Sequence, residues 1–97
     1  MIIAVFRSRV AKEHGGEFER RYAEMSALVE AIPGYGSHER FSSPNGEDVL
    51  IVEFLTREAF DAWDKHPEHK KAKMLGKDYI FESVSYTHLT LPTTPYV

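Results

Sequence analysis

The spacing of apolar residues changes period along the chain, and each change marks an element. Residues Ile2 to Val10 are rich in Ile, Val and Phe with no breaker among them, which predicts a strand ending at the polar cluster from Ala11 to Gly16. From Glu17 to Ile32 the period lengthens. Phe18, Tyr22, Met25, Val29 and Ile32 fall at steps of four, three, four and three, one stripe of a helix, while Glu17, Glu19, Arg20, Glu24 and Glu30 take the wet side. Pro33-Gly34 ends that helix, since proline biases its predecessor away from helix and glycine accepts positive φ.

A second strand is predicted from Tyr35 to Phe41 and a third from Asp48 to Leu55, joined through Asn45-Gly46 as a hairpin. Thr56 is placed to cap a short helix reaching about Lys65, with Glu58 in its first turn and Phe60 and Trp63 turned inward. His66-Pro67 breaks this helix and restarts it, because proline suits the first position of a new helix; the second segment is expected to end at Gly76. Tyr79 to Tyr86 reads as the fourth strand. The order β-α-β-β-α-β predicts a ferredoxin-like α+β fold, a four-stranded antiparallel sheet with its helices on one face.

Two of the strands are apolar on both sides. Ile3 and Val5 oppose Ile2, Ala4 and Phe6, and Val49, Ile51 and Leu55 oppose Leu50, Val52 and Phe54. A sheet with one wetted face should alternate apolar with polar, so the pattern calls for a cover on the second face. A second copy packed sheet to sheet is the simplest one; a partly wet apolar surface is the other reading. Burying about ten further medium-sized apolar side chains contributes on the order of 10–20 kcal/mol, comparable to the whole stability of a small domain.

Composition narrows the partners. A 97-residue chain makes one domain with a thin core, burying roughly 60–65% of the surface its unfolded form exposes. With 12 Lys and Arg scattered among 15 Asp and Glu, net charge −3, there is no basic field for nucleic acid. The absence of cysteine excludes disulfides, a thiolate nucleophile and cysteine-ligated metal. No apolar run approaches a membrane span and the start lacks the features of a signal peptide, so no membrane partner is expected and a cytoplasmic location is the default. Residues 1–86 are expected to form the domain. Residues 87–97 lose all charge and gain two prolines, which fits either a short strand at Thr87 to Leu91, available to a partner subunit, or a foreign tail.

Within this order of elements, Pro33-Gly34-Tyr35, Ala62-Trp63, His66-Pro67-Glu68-His69 and Gly76-Lys77 resemble the antibiotic biosynthesis monooxygenase family of dimeric α/β-barrel proteins. The resemblance runs from about residue 1 to residue 86 and marks the family better than it marks a reaction. It implies a homodimer joined through its sheet faces, with a pocket in each subunit between sheet and helices. Some members oxidise polycyclic aromatic phenols to quinones with molecular oxygen and no metal or flavin, and others degrade haem. The haem-degrading relatives place a histidine ten residues after the tryptophan and an asparagine on the first strand. Here Lys73 and the segment Arg7-Ser8-Arg9 stand there.

Cofactor-free oxygenation asks the protein to hold an aromatic phenol in a dry pocket and to handle its proton. Trp63 offers a wall and an indole donor, or else pins helix to sheet; Phe18, Tyr22 and Phe60 line the same space or are plain core. His69 and His38 are the candidate proton carriers, with His66 at the helix break beside them. His38 reaches the pocket if its strand turns it to the helices and the dimer core if it does not. Tyr79 offers a hydroxyl or is an ordinary packed tyrosine, and Arg7 and Arg9, near the strand end, suit either an anion or a solvated or dimer-edge salt bridge. His66 and His69 are three apart across a proline with no third ligand fixed, so no metal site is expected. The resulting expectation is a cofactor-independent monooxygenase for a small aromatic or quinol-type molecule, with no cofactor. The alternatives are a non-catalytic ligand-binding dimer and a haem-binding relative.

Overall fold

The computed structural model describes residues 1–90, apart from the side chains of residues 78, 79 and 82. The elements run β1 (Ile2–Val10), α1 (Gly15–Glu30), β2 (Tyr35–Ser42), β3 (Glu47–Phe54), α2 (Arg57–Lys65), α3 (Pro67–Leu75) and β4 (Phe81–Thr90). A short 3₁₀ turn precedes α1 and a π-helical turn, Gly76–Ile80, follows α3. The four strands form one antiparallel sheet in the order β2-β3-β1-β4, the ferredoxin-like α+β arrangement expected from the element order.

Register sorts the strand residues into two sets. Ile2 pairs with Phe54, Ala4 with Val52 and Phe6 with Leu50, and this inner set faces the helices. Ile2, Val52 and Phe54 are buried there against Val29 of α1 and Ala59 and Trp63 of α2. The outer set has Val5 opposite Ile51 and Arg7 opposite Val49. Ile3, Val5, Val49 and Ile51 are only half-buried, and Phe41 and Leu89 are 52% and 61% exposed.

Local chemistry accounts for the joints. The Thr56 hydroxyl accepts a 3.1 Å hydrogen bond from the Ala59 N–H, capping α2 as its sequence suggests. At the α2–α3 break, Pro67 takes the first helical position and His66 Nδ1 caps α3 by accepting from the Glu68 N–H at 3.1 Å. Gly34 has φ 91°, and a Cβ there would lie 2.8 Å from Thr56 Oγ1 and 2.9 Å from Ala59 Cβ. Only glycine lets the α1–β2 turn sit this close to the start of α2.

Two expectations are corrected. The fourth strand begins at Phe81, not Tyr79, because the helical path continues through Gly76–Ile80. Gly76 keeps a right-handed conformation, and its missing Cβ makes room for the Phe81 ring. Simple alternation along β2, from Tyr35 to His38 three residues on, would put the two on opposite faces. A bulge between Tyr35 and Ser37 instead turns both to the inner face.

β4 also runs past residue 86, with Thr87, His88, Leu89 and Thr90 pairing with Val5, Ala4, Ile3 and Ile2 of the same chain. Residues 91–97 of the expected tail lie outside the described residues. Among the described residues, no helix is long and apolar enough to cross a membrane.

Candidate functional site

Between the inner face of the sheet and the three helices lies a cavity of about 210 Å³. Its floor is the inner strand set, Ala4, Phe6, Leu50, Val52 and Phe54, which the β1–β3 register brings side by side. Phe18, Tyr22 and Met25 close it from the inward stripe of α1, Phe60 and Trp63 from α2, and His69 and Lys73 from α3. The wall is predominantly aromatic and aliphatic, so a polar group that enters must find its partner among a few side chains.

The helix break makes one of those partners. Trp63 lies in the last turn of α2, where its carbonyl accepts the His66 N–H at 3.1 Å and keeps a second lone pair free for another donor. Redirected by Pro67, α3 returns His69 over that turn: the imidazole stacks on the Trp63 ring at 4.1 Å with 14° between the planes, and Nδ1 lies 2.9 Å from the Trp63 carbonyl oxygen. A carbonyl only accepts, so Nδ1 carries the hydrogen and Nε2 keeps a bare lone pair. Burial is the main cause that pushes the His69 pKa down to about 4; Lys73 and His66 add to this, while the Trp63 carbonyl and Asp64 oppose it. At neutral pH His69 is an uncharged acceptor. Lys73 and Asp64, both cavity walls, form a 2.9 Å ion pair, and the hydrogen bond from Lys73 holds the Asp64 carboxyl below its ordinary pKa.

The second histidine enters from the sheet. His38 is a cavity wall whose Nδ1 lies 2.5 Å from the Tyr35 hydroxyl and 3.9 Å from Glu30 Oε2. Of the residues picked out from the sequence, the fold thus gathers Phe18, Tyr22, His38, Phe60, Trp63 and His69 around one cavity. His66 is not among its walls, since its ring caps α3. The Tyr79 side chain lies outside the described residues. Arg7 and Arg9 stand near the end of the interior strand β1, Arg7 paired with Glu47 at 2.8 Å and Arg9 bonded to the Asn45 carbonyl. Among the described residues no three of His, Asp and Glu gather into a metal-holding group.

Sequence reasoning missed Arg40 and Tyr86. The Arg40 guanidinium lies 4.9 Å from the centroids of both Phe18 and Tyr22, bonds Glu19 at 2.8 and 2.7 Å and Asp48 at 3.2 Å, and so fixes two aromatic walls. Its place two residues after His38 on the same strand was the available signal. Tyr86 stacks on Phe6 at 4.7 Å, and burial pushes its hydroxyl pKa up to about 12.

The sequence profile of the antibiotic biosynthesis monooxygenase family matches residues 1–74. Among solved structures, Rv0793 from Mycobacterium tuberculosis is 18% identical, with a TM-score of 0.81 and 94% of each chain covered. A mutant of SnoaB, a cofactor-independent oxygenase from Streptomyces nogalater, is 19% identical with a TM-score of 0.79, covering 96% of this chain and 94% of that one. A conserved protein from Methanosarcina mazei Go1 is 12% identical, with a TM-score of 0.79 and coverage of 91% and 89%. No curated protein matches at a significant level. Identities this low carry the fold alone, whereas the profile spans most of the sequence: the chain belongs to the antibiotic biosynthesis monooxygenase family.

Proposed function

We propose that the protein is a cofactor-independent monooxygenase that oxidises a small hydroxylated aromatic or quinol-type molecule with molecular oxygen. The observation that carries this reading is the pairing of an apolar, aromatic-walled cavity with an uncharged acceptor, His69 Nε2, on an imidazole stacked on Trp63. The substrate ring lies against Trp63, Phe60 and Tyr22, and its hydroxyl donates to His69. Electron transfer from the ring to oxygen sharply raises the acidity of that hydroxyl, so a weak base suffices to take its proton. In an anthrone-type substrate a ring methylene plus one O₂ becomes a ring ketone plus one water, and a hydroquinone plus one O₂ becomes a quinone plus hydrogen peroxide, the substrate itself supplying the electrons in both. SnoaB's description as a cofactor-independent oxygenase supports the reading by likeness of fold.

Two copies joined across their outer sheet faces complete the proposal, covering Ile3, Val5, Val49 and Ile51. Oxygen uptake with a panel of anthrones and hydroquinones, recorded for wild type and Trp63→Phe, tests the activity. Uptake above the buffer rate, reduced in the variant, is expected. Thermal stabilisation by the same compounds with no uptake would instead favour a protein that binds without turnover.

A further inference from the structure

His38, His69 and His88 line one cavity, His88 against Phe60 at 4.6 Å, and the Nδ1 atoms of His69 and His38 meet opposite chemistry. His69 Nδ1 meets a carbonyl, so it donates and leaves Nε2 as an acceptor. His38 Nδ1 meets the Tyr35 hydroxyl at 2.5 Å, a group able to act either way. The surroundings of Tyr35 decide which. Burial first, with Glu30 and Tyr22 adding to it, raises the Tyr35 pKa, so the phenol keeps its proton. A phenol O–H is a stronger donor than an imidazole N–H and an imidazole nitrogen a stronger acceptor than a phenol oxygen, so the hydroxyl donates to Nδ1. Glu30 Oε2, at 3.9 Å, is beyond hydrogen-bond reach of Nδ1 and does not compete for it. His38 therefore carries its hydrogen on Nε2. Tyr35 is not itself a cavity wall, so with Nδ1 turned to Tyr35 the polar edge left to the cavity is that Nε2–H.

We infer that Tyr35 is a positioning residue that fixes His38 as a hydrogen-bond donor, opposite in tautomer to the acceptor His69, so that the cavity selects aromatic ligands bearing both an acceptor and a donor. A hydroxyl docks on His69 and a carbonyl or phenolate oxygen on His38. Simple aromatic hydrocarbons leave both imidazoles unsatisfied, which disfavours them. The ligand class rests on the proposed function above; the tautomers do not.

Heteronuclear NMR of protein labelled at the histidine ring nitrogens reads the tautomers directly. In the ligand-free protein at neutral pH, His38 is expected to be protonated at Nε2 and His69 at Nδ1. Glu30→Gln should leave both unchanged, and Tyr35→Phe should release His38 while His69 keeps its state. His38 protonated at Nδ1 in the wild type, or a tautomer that switches in Glu30→Gln, would overturn the inference even if Tyr35→Phe does not fold. The ligand class is tested with four one-ring probes: para-hydroxyacetophenone, acetophenone, para-ethylphenol and ethylbenzene. The first is expected to bind most tightly and the last most weakly. Tyr35→Phe should weaken the two ketones by about three- to tenfold and leave para-ethylphenol unchanged. Equal weakening of all four would mean that Tyr35 only supports the fold, overturning its positioning role. No binding of any probe, with opposite tautomers confirmed, would count against the proposed function and leave the Tyr35–His38 assignment standing.

Discussion

The two faces of the sheet are built from alternate residues of the same strands, and they are used differently. On the inner face, Ile2, Val52 and Phe54 are sealed under helices, and what is left open is a cavity with few polar partners. On the outer face, Ile3, Val5, Val49 and Ile51 form an apolar patch edged by charge, with Arg7 paired to Glu47 and the Ser37 hydroxyl donating to Glu53 at 2.7 Å. The outer face mixes its apolar residues with charge, Glu53 lying opposite Ile3 and Glu39 opposite Ile51, whereas the inner one encloses its few polar groups in a cavity. On the proposed function, that is the difference between a surface that takes a small molecule and one suited to a second copy of itself.

The comparison is broken most strongly at its seams. Phe54 is fully buried, so Phe54→Ala should cost about 3–5 kcal/mol in urea unfolding at every protein concentration. Ile51, three residues earlier and on the other face, should behave differently: Ile51→Glu is expected to yield a folded single subunit in sedimentation velocity where the wild type is expected to sediment as a dimer. An unchanged dimer would remove the outer face from the interface.

Acid should act through the inner face. Because the folded pKa of His69 lies near 4, below the ordinary value of 6.5, the unfolded chain binds the extra proton first. The stability linked to neutral His69 is complete above pH 6.5 and falls away as pH drops toward 4, by on the order of 2–3 kcal/mol. Unfolding curves for wild type and His69→Gln over this range should differ in slope, the variant being flatter. The smallest effect belongs to the α2 cap: Thr56→Ala should lower stability by about 1 kcal/mol, read by thermal unfolding.

What could be read in the sequence were features governed by neighbours a few residues apart. The stripe of α1, the Thr56 cap, the Pro33-Gly34 turn and the His66-Pro67 break all follow rules of that range. The gathering of Phe18, Tyr22, Phe60 and Trp63 was legible as inward helical positions combined with the element order. The bulge that brings Tyr35 beside His38 was not, because strand alternation presumes an unbroken register. Nor was the clamp of Arg40 on Phe18 and Tyr22, which joins a strand to a helix some twenty residues earlier in the chain. α3 ends at Leu75 as its sequence suggests, but the start of β4 was not legible, because a π-helical turn follows in which Gly76 serves the close approach of Phe81.

The claim at the centre of this account is that the helix-covered face, against Trp63, receives the aromatic guest. Trp63 is the only tryptophan, so its indole N–H gives a single NMR resonance that reports on the cavity. Titration with para-hydroxyacetophenone should shift that resonance saturably while the methyl signals of Ile3, Val49 and Ile51 stay in place. A silent indole with moving outer-face methyls would contradict the account.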